Sequence, residues 1–308
     1  MNFKRVGVVG GGTMGAGIAQ VTAHSGRDVV LVELSRDSAA AALKRVQDGL
    51  ARWVKRDRIT IEDAAAAMAR VNAVTSLEDL SDVDLVVEAL FEDVDLKKHV
   101  FADLDRVCRP GAILASNTST IPLVILATAT QRPDKVVGMH FFNPVPAMKL
   151  VEVIRTPVSS EDVVTSLKEF ADELGKSPVI VNDVPGFVGN LLIVPFLLDA
   201  VRALERGVAT KEAIDSVIQL GFNHPMGPFA LSDLIGLDIV QDMAESMYEE
   251  YKDPKYFPPP LLKQLVRMGR LGRKTGEGFY LYDSPDRSSS DQEPATKTKS
   301  TDNPETQP

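Results

Sequence analysis

Cysteine is nearly absent from this chain of 308 residues, with Cys108 standing alone. No intramolecular disulfide can form, and a reducing compartment, the cytoplasm, is the expected setting. Histidine is scarce too: the four are His24, His99, His140 and His224, and no short Cys/His spacing of a closed zinc site is present, so no metal is expected. Positive charge is outnumbered, 34 Lys and Arg against 43 Asp and Glu for a net charge of -9, which makes neither nucleic acid nor an anionic membrane the expected partner. No uninterrupted apolar run reaches the roughly 18 residues of a membrane span. Lys4 and Arg5 ahead of VGVVGGGTMGAGIAQVTA imitate a signal peptide, but Gly10, Gly11 and Gly12 break the apolar region. No internal repeat is found. The length suggests two domains, and 44% apolar with 25% charged residues suits a soluble enzyme.

Strand-like and helix-like segments alternate. Strands are expected at 3–9, 28–33, 71–75, 84–89, 112–116, 135–141, 148–154 and 178–182, and helices at 13–25, 36–70 (a polar-faced arm), 94–107 and 161–174. This is the pattern of an α/β fold with a doubly wound, mostly parallel sheet. After DVPGF at 183–187 strand signals nearly vanish and helices dominate to about residue 270. The expected division is therefore 1–184 for the sheet domain, 185–283 for an all-helical domain, and 284–308 for a tail too polar to bury, read as disordered.

GGGTMG places Gly10, Gly12 and Gly15, with Thr13 and Met14 between them, in the turn from a strand to a helix. Glycines there allow a tight turn and close backbone approach, and the helix N-terminus faces a pyrophosphate. Glu33 ends the next strand, close to the roughly 20 residues expected for the acid that binds ribose hydroxyls and repels a 2′-phosphate. The pattern favours NAD over NADP, with Arg36 just beyond as the contrary sign.

A nicotinamide enzyme needs an acid/base. Tyr248 and Lys252 match YxxxK, but in a helical segment far from the nucleotide half. His24, His99 and His224 have solvated readings, whereas His140 ends a predicted strand, where open α/β sheets place ligands. In GMHFFNPVPAMKLVEVI, His140 and Glu152 are equidistant from Pro146. An antiparallel return would set them opposite each other, leaving one imidazole nitrogen free to take a proton. A structural His and Glu satisfying each other in a wall is the alternative.

With VGVVGGGTMGAGIAQ, DLVVEALFEDVDLKK, ASNTST, GMHFFNPVP, LVEV, VNDVPGFVGN, GPFALSDLIGLD and GRKTGEGFY in this order, the chain resembles the L-3-hydroxyacyl-CoA dehydrogenases, in particular their bacterial 3-hydroxybutyryl-CoA branch. The resemblance covers about residues 3–282. It implies a Rossmann-type domain, a helical domain that forms a homodimer, and an acyl-CoA substrate bound between domains. It implies His140 as acid/base, Glu152 as its orienting partner, and Ser119 and Asn190 at the substrate oxygen. It further implies Glu92, Lys97 and Asn117 as cofactor contacts, and Asn143 is expected on the substrate side. A sugar-acid dehydrogenase of the gulonate type and a non-catalytic NAD-binding protein are the other readings.

Two further expectations concern helices. LLIVPFLLDAVRAL at 191–204 is apolar nearly all round, which suggests burial in core and subunit interface. Arg52, Lys55 and Arg56 of RWVKRDR fall on one helical face of the arm, where CoA phosphates are expected, a solvated face being the alternative.

Overall fold

Eight strands form one sheet in the order β3-β2-β1-β4-β5-β6-β7-β8 in a computed structural model, which describes residues 3–282. They are β1 (Arg5–Val9), β2 (Asp28–Val32), β3 (Val71–Val74), β4 (Leu85–Glu88), β5 (Ile113–Ser116), β6 (Val136–Phe141), β7 (Leu150–Arg155) and β8 (Ser177–Asn182). Only β6 and β7 pair antiparallel; the other neighbours are parallel. The 284–308 tail predicted from sequence lies outside the described residues.

Alternate strand residues feed two cores. Val6, Val8, Leu85 and Val87 face α1 (Thr13–His24), α2 (Arg36–Lys55), α3 (Ile61–Met68) and α6 (Glu161–Glu173). Val9, Val86 and Leu114 face α4 (Val94–Val107) and α5 (Leu123–Ala127). Burial on both faces is why these strands read as continuous apolar runs. The arm expected as one helix over 36–70 is two. Ser35 caps α2, the chain turns at Asp57 with φ 53, and Thr60 caps α3 by accepting from the Asp63 N–H. Both capping boxes use short polar pairs, Ser35/Ser38 and Thr60/Asp63.

After β8 come α7 (Gly189–Glu205), α8 (Lys211–Phe222), α9 (Pro228–Ile235), α10 (Leu237–Tyr251) and α11 (Pro260–Arg267), around a separate core that includes Leu197, Leu198, Phe229, Met247 and Tyr256. The connection is anchored. Asp183 accepts hydrogen bonds from the N–H groups of Leu123 (2.9 Å) and Val124 (2.8 Å), and Gly186 and Phe187 take φ values of 80 and 50. Among the described residues no helix is long and apolar enough to cross a membrane.

Candidate active site

The sheet parts at β1, which pairs with β2 on one side and β4 on the other. Such a switch point opens a crevice beyond the carboxyl ends of the strands. Gly10 enters it with φ 93, which L side chains resist. A Cβ on Gly15 would land on the Gly10 carbonyl oxygen, so α1 can pack this closely only without one. A Cβ on Gly12 would meet nothing within 4 Å, and Gly12 brings no side-chain cap to the N-terminus of α1, which begins with Thr13 and Met14. Free N–H groups facing open space suit a pyrophosphate. Glu33 stands beside them, its Oε1 accepting from the Gly11 N–H at 2.6 Å. These residues fit NAD: the turn would take the phosphates and the Glu33 carboxylate the adenosine ribose. Arg36, the first residue of α2, is exposed.

The antiparallel return sets His140 directly opposite Glu152. Both are buried, at 5% and 2% exposure, which a lone ionisable group would not tolerate. His140 Nδ1 meets Glu152 Oε2 at 2.8 Å and Nε2 meets Ser119 Oγ at 3.2 Å. With Nδ1–H donating to the carboxylate, Nε2 keeps the lone pair that the Ser119 hydroxyl approaches. The imidazole lies 4.8 Å from the Phe142 ring and 5.6 Å from the Phe187 ring, centroid to centroid. Glu152 Oε1 accepts from the N–H groups of Gly189 (2.9 Å) and Val188 (3.2 Å), at the start of α7. Burial pushes the Glu152 carboxyl up, but the His140 hydrogen bond and these N–H groups outweigh it and hold it below the usual carboxylate value. Asn190, the next residue of α7, reaches the Ser119 carbonyl with Nδ2 at 3.4 Å. Asn117 accepts from the Phe141 N–H with its Oδ1 at 2.9 Å.

The turn carrying Ser119 hangs on Glu92. Its Oε1 accepts from the N–H groups of Ser119 (2.8 Å) and Thr120 (3.1 Å) and from the Thr118 hydroxyl. Burial raises its pKa, but Lys97 and these donors prevail and keep it low. Lys97, buried on α4, bridges Glu92 Oε2 at 3.2 Å and Glu88 Oε1 at 2.7 Å. Glu88 escaped the sequence reading, although the signal was the same as for Glu33: an acid closing an apolar strand.

A cavity of about 320 Å³ lies between α1, α2 and the Asn143–Pro146 turn, with Arg45, Asp48, Arg52 and Asn143 in its wall. Of the three arm cations predicted from sequence only Arg52 faces it. Lys55 ends α2 and Arg56 caps it, both exposed and outside the wall. Lys176 fixes the turn by donating from Nζ to the carbonyls of Val145 (2.5 Å) and Met148 (2.9 Å). Nothing local in the sequence ties Lys176 to a turn some 30 residues earlier. The remaining histidines are elsewhere: His24 ends α1 against Trp53, His99 bonds the Asp95 carbonyl, and His224 packs on Phe196. Tyr248 packs on Phe257 and Lys252 pairs with Glu249.

Known proteins resemble this chain along both of its domains. Residues 5–184 match the family profile "3-hydroxyacyl-CoA dehydrogenase, NAD binding domain" and residues 186–282 its C-terminal domain. A 3-hydroxybutyryl-CoA dehydrogenase of Mycobacterium tuberculosis is 47% identical over 282 residues, 91% of this chain and 99% of that protein. A crystal structure of M. tuberculosis FadB2 superposes with a TM-score of 0.89 at 47% identity, covering 92% of this chain and 100% of that one. The (S)-3-hydroxybutyryl-CoA dehydrogenase PaaH1 of Ralstonia eutropha gives a TM-score of 0.86 at 43% identity, covering 92% and 100%. With both domains matched in order along nearly the whole described chain, the protein belongs to the 3-hydroxyacyl-CoA dehydrogenase family.

Proposed function

We propose that the protein is an NAD-dependent dehydrogenase of short-chain L-3-hydroxyacyl-CoA, interconverting 3-hydroxybutyryl-CoA and its 3-oxo form. The observation that carries this reading is the hydrogen-bonded line Ser119–His140–Glu152 at the mouth of a dinucleotide crevice. His140 Nε2 takes the substrate hydroxyl proton, while the Ser119 hydroxyl and the Asn190 amide hold the oxygen. Glu152, kept ionised by its donors, stabilises the imidazolium that forms. NAD, when bound, supplies the acceptor for the hydride that leaves C3. In the reduction His140 returns the proton to the oxygen. Phe142 and Phe187 flank the imidazole and limit water around it. Glu92 and Asn117 lie at the same mouth on the cofactor side, with Lys97 buried behind Glu92. With the enzyme, NAD and racemic 3-hydroxybutyryl-CoA, coupled to removal of the 3-oxo product, oxidation should stop when one enantiomer is consumed. Consumption of both, or of neither, contradicts the reading.

The cavity beside Asn143 is assigned to the CoA end of the substrate, with Arg52 as its phosphate contact. Replacing Arg52 by alanine should raise KM for acetoacetyl-CoA by about three- to tenfold, the scale of one charge-assisted phosphate contact. KM for a truncated pantetheine thioester, which has no nucleotide phosphates, should not move. Lys55→Ala and Arg56→Ala should have smaller effects. An equal rise for both thioesters with Arg52→Ala would show a closure defect instead.

A homodimer accounts for the helical domain's surface. In α8 only Asp215 is buried, while Val217, Leu220 and Phe222 are 60%, 88% and 68% exposed. On α7, Val194, Leu197, Leu198 and Val201 are buried but Leu192 is 65% exposed. So much aligned apolar surface favours a second copy as its cover. Light scattering at micromolar concentration should give a dimer mass, and Leu220→Asp with Phe222→Asp should give a monomer. A monomeric parent protein removes the dimer. A cytoplasmic location fits the single thiol, Cys108, which burial pushes up to about 11 and leaves inert.

A further inference from the structure

The reaction assigns no part to Glu88, although it sits at the switch point itself, paired with Val9, the residue that precedes Gly10. It is completely buried, and all its donors are accounted for. Oε1 accepts from the Leu90 N–H at 2.6 Å and from Lys97 at 2.7 Å, and Oε2 from the Ser116 hydroxyl at 2.6 Å. A carboxylate between three strand ends costs desolvation that a valine would avoid, and a lysine brought in only to cancel it would leave no charge. Here one ammonium serves both Glu88 and Glu92, so the unit carries a net charge of -1. Glu92 in turn holds the Ser119 turn against His140.

We infer that the Glu88–Lys97–Glu92 unit is a fixed negative charge that favours the oxidised, cationic nicotinamide over the neutral reduced ring, and that Glu88 is the positioning residue that sets it. The inference rests on the proposed dehydrogenase function. Hydride transfer requires the ring to lie against the substrate carbon whose oxygen is held at Ser119 and His140. Ser119 is itself hydrogen-bonded to Glu92, so ring and unit are close neighbours. One charge at roughly 7 Å in a medium of effective dielectric constant between about 20 and 40 changes an affinity by about seven- to fiftyfold.

The test is the dissociation constants of NAD+ and NADH, measured by calorimetry and by NADH fluorescence. Glu88→Gln, nearly isosteric, should weaken NAD+ by about seven- to fiftyfold while NADH moves much less. The double variant Glu88→Gln/Lys97→Gln leaves Glu92 as the only charge and should restore the parent ratio of the two constants. Ser116→Ala, which removes a hydrogen bond but no charge, should leave the ratio alone. If Glu88→Gln does not fold, Glu92→Gln removes the same charge from a side chain 36% exposed and should lower NAD+ preference alike. Parallel changes in both constants, or a double variant that fails to restore the ratio, overturn the inference while the dehydrogenase reading stands. A parent protein that binds neither nucleotide overturns both.

Discussion

Replacing His140 by alanine should lower turnover by about 10² to 10⁴, the usual contribution of a positioned general base, while leaving NADH affinity nearly unchanged. The imidazole is the one group that joins Ser119 to Glu152, and its removal leaves a buried carboxylate without its main side-chain partner. Glu152 keeps the N–H groups of Val188 and Gly189, so the variant should fold and dimerise. Single-turnover rates with saturating NADH separate chemistry from binding. Turnover near that of the parent would reduce His140 and Glu152 to a structural pair.

The second large effect is expected in the glycine turn. Gly15→Ala puts a methyl group onto the Gly10 carbonyl oxygen and within 3.3 Å of Val8, so β1 and α1 cannot both stay where they are. A cost of about 3 kcal/mol, at the upper end for overpacking, should lower Tm by about 6–12 °C, and nucleotide binding should be lost with the turn. Gly12→Ala makes the contrast. Its Cβ projects into open space, so Tm should hold while NADH affinity falls, because only an approaching pyrophosphate meets the methyl group. Unchanged affinity in Gly12→Ala would place the phosphates elsewhere.

Whatever depends on near neighbours in the chain was legible before the structure. The GGGTMG turn combines strand, glycines and helix within a few residues. The His140–Glu152 pair follows from equal spacing about Pro146, because a reversal there can pair only equidistant positions. The arm read as one helix because no glycine or proline interrupts residues 50–60; the break is decided by Asp57 and the Thr60 cap, signals weaker than a proline. Glu88 and Lys176 were missed for another reason. Glu88 carried the local signal of an acid closing an apolar strand, but its role also depends on the distant Ser116, and Lys176 is explained by the carbonyls of Val145 and Met148, contacts of which composition carries no trace. Leu220 and Phe222 are apolar, yet the single chain leaves them bare, so what covers them is a matter of assembly.

The measurement closest to the central claim is the initial rate of NADH oxidation with acetoacetyl-CoA, set against free acetoacetate and against longer 3-oxoacyl-CoA esters. A dehydrogenase whose cavity holds the CoA end should give saturable turnover with acetoacetyl-CoA and far lower kcat/KM with the free acid, which forfeits the binding energy of the nucleotide. No oxidation with any 3-oxoacyl-CoA, or equal kcat/KM for free acid and thioester, would contradict the account.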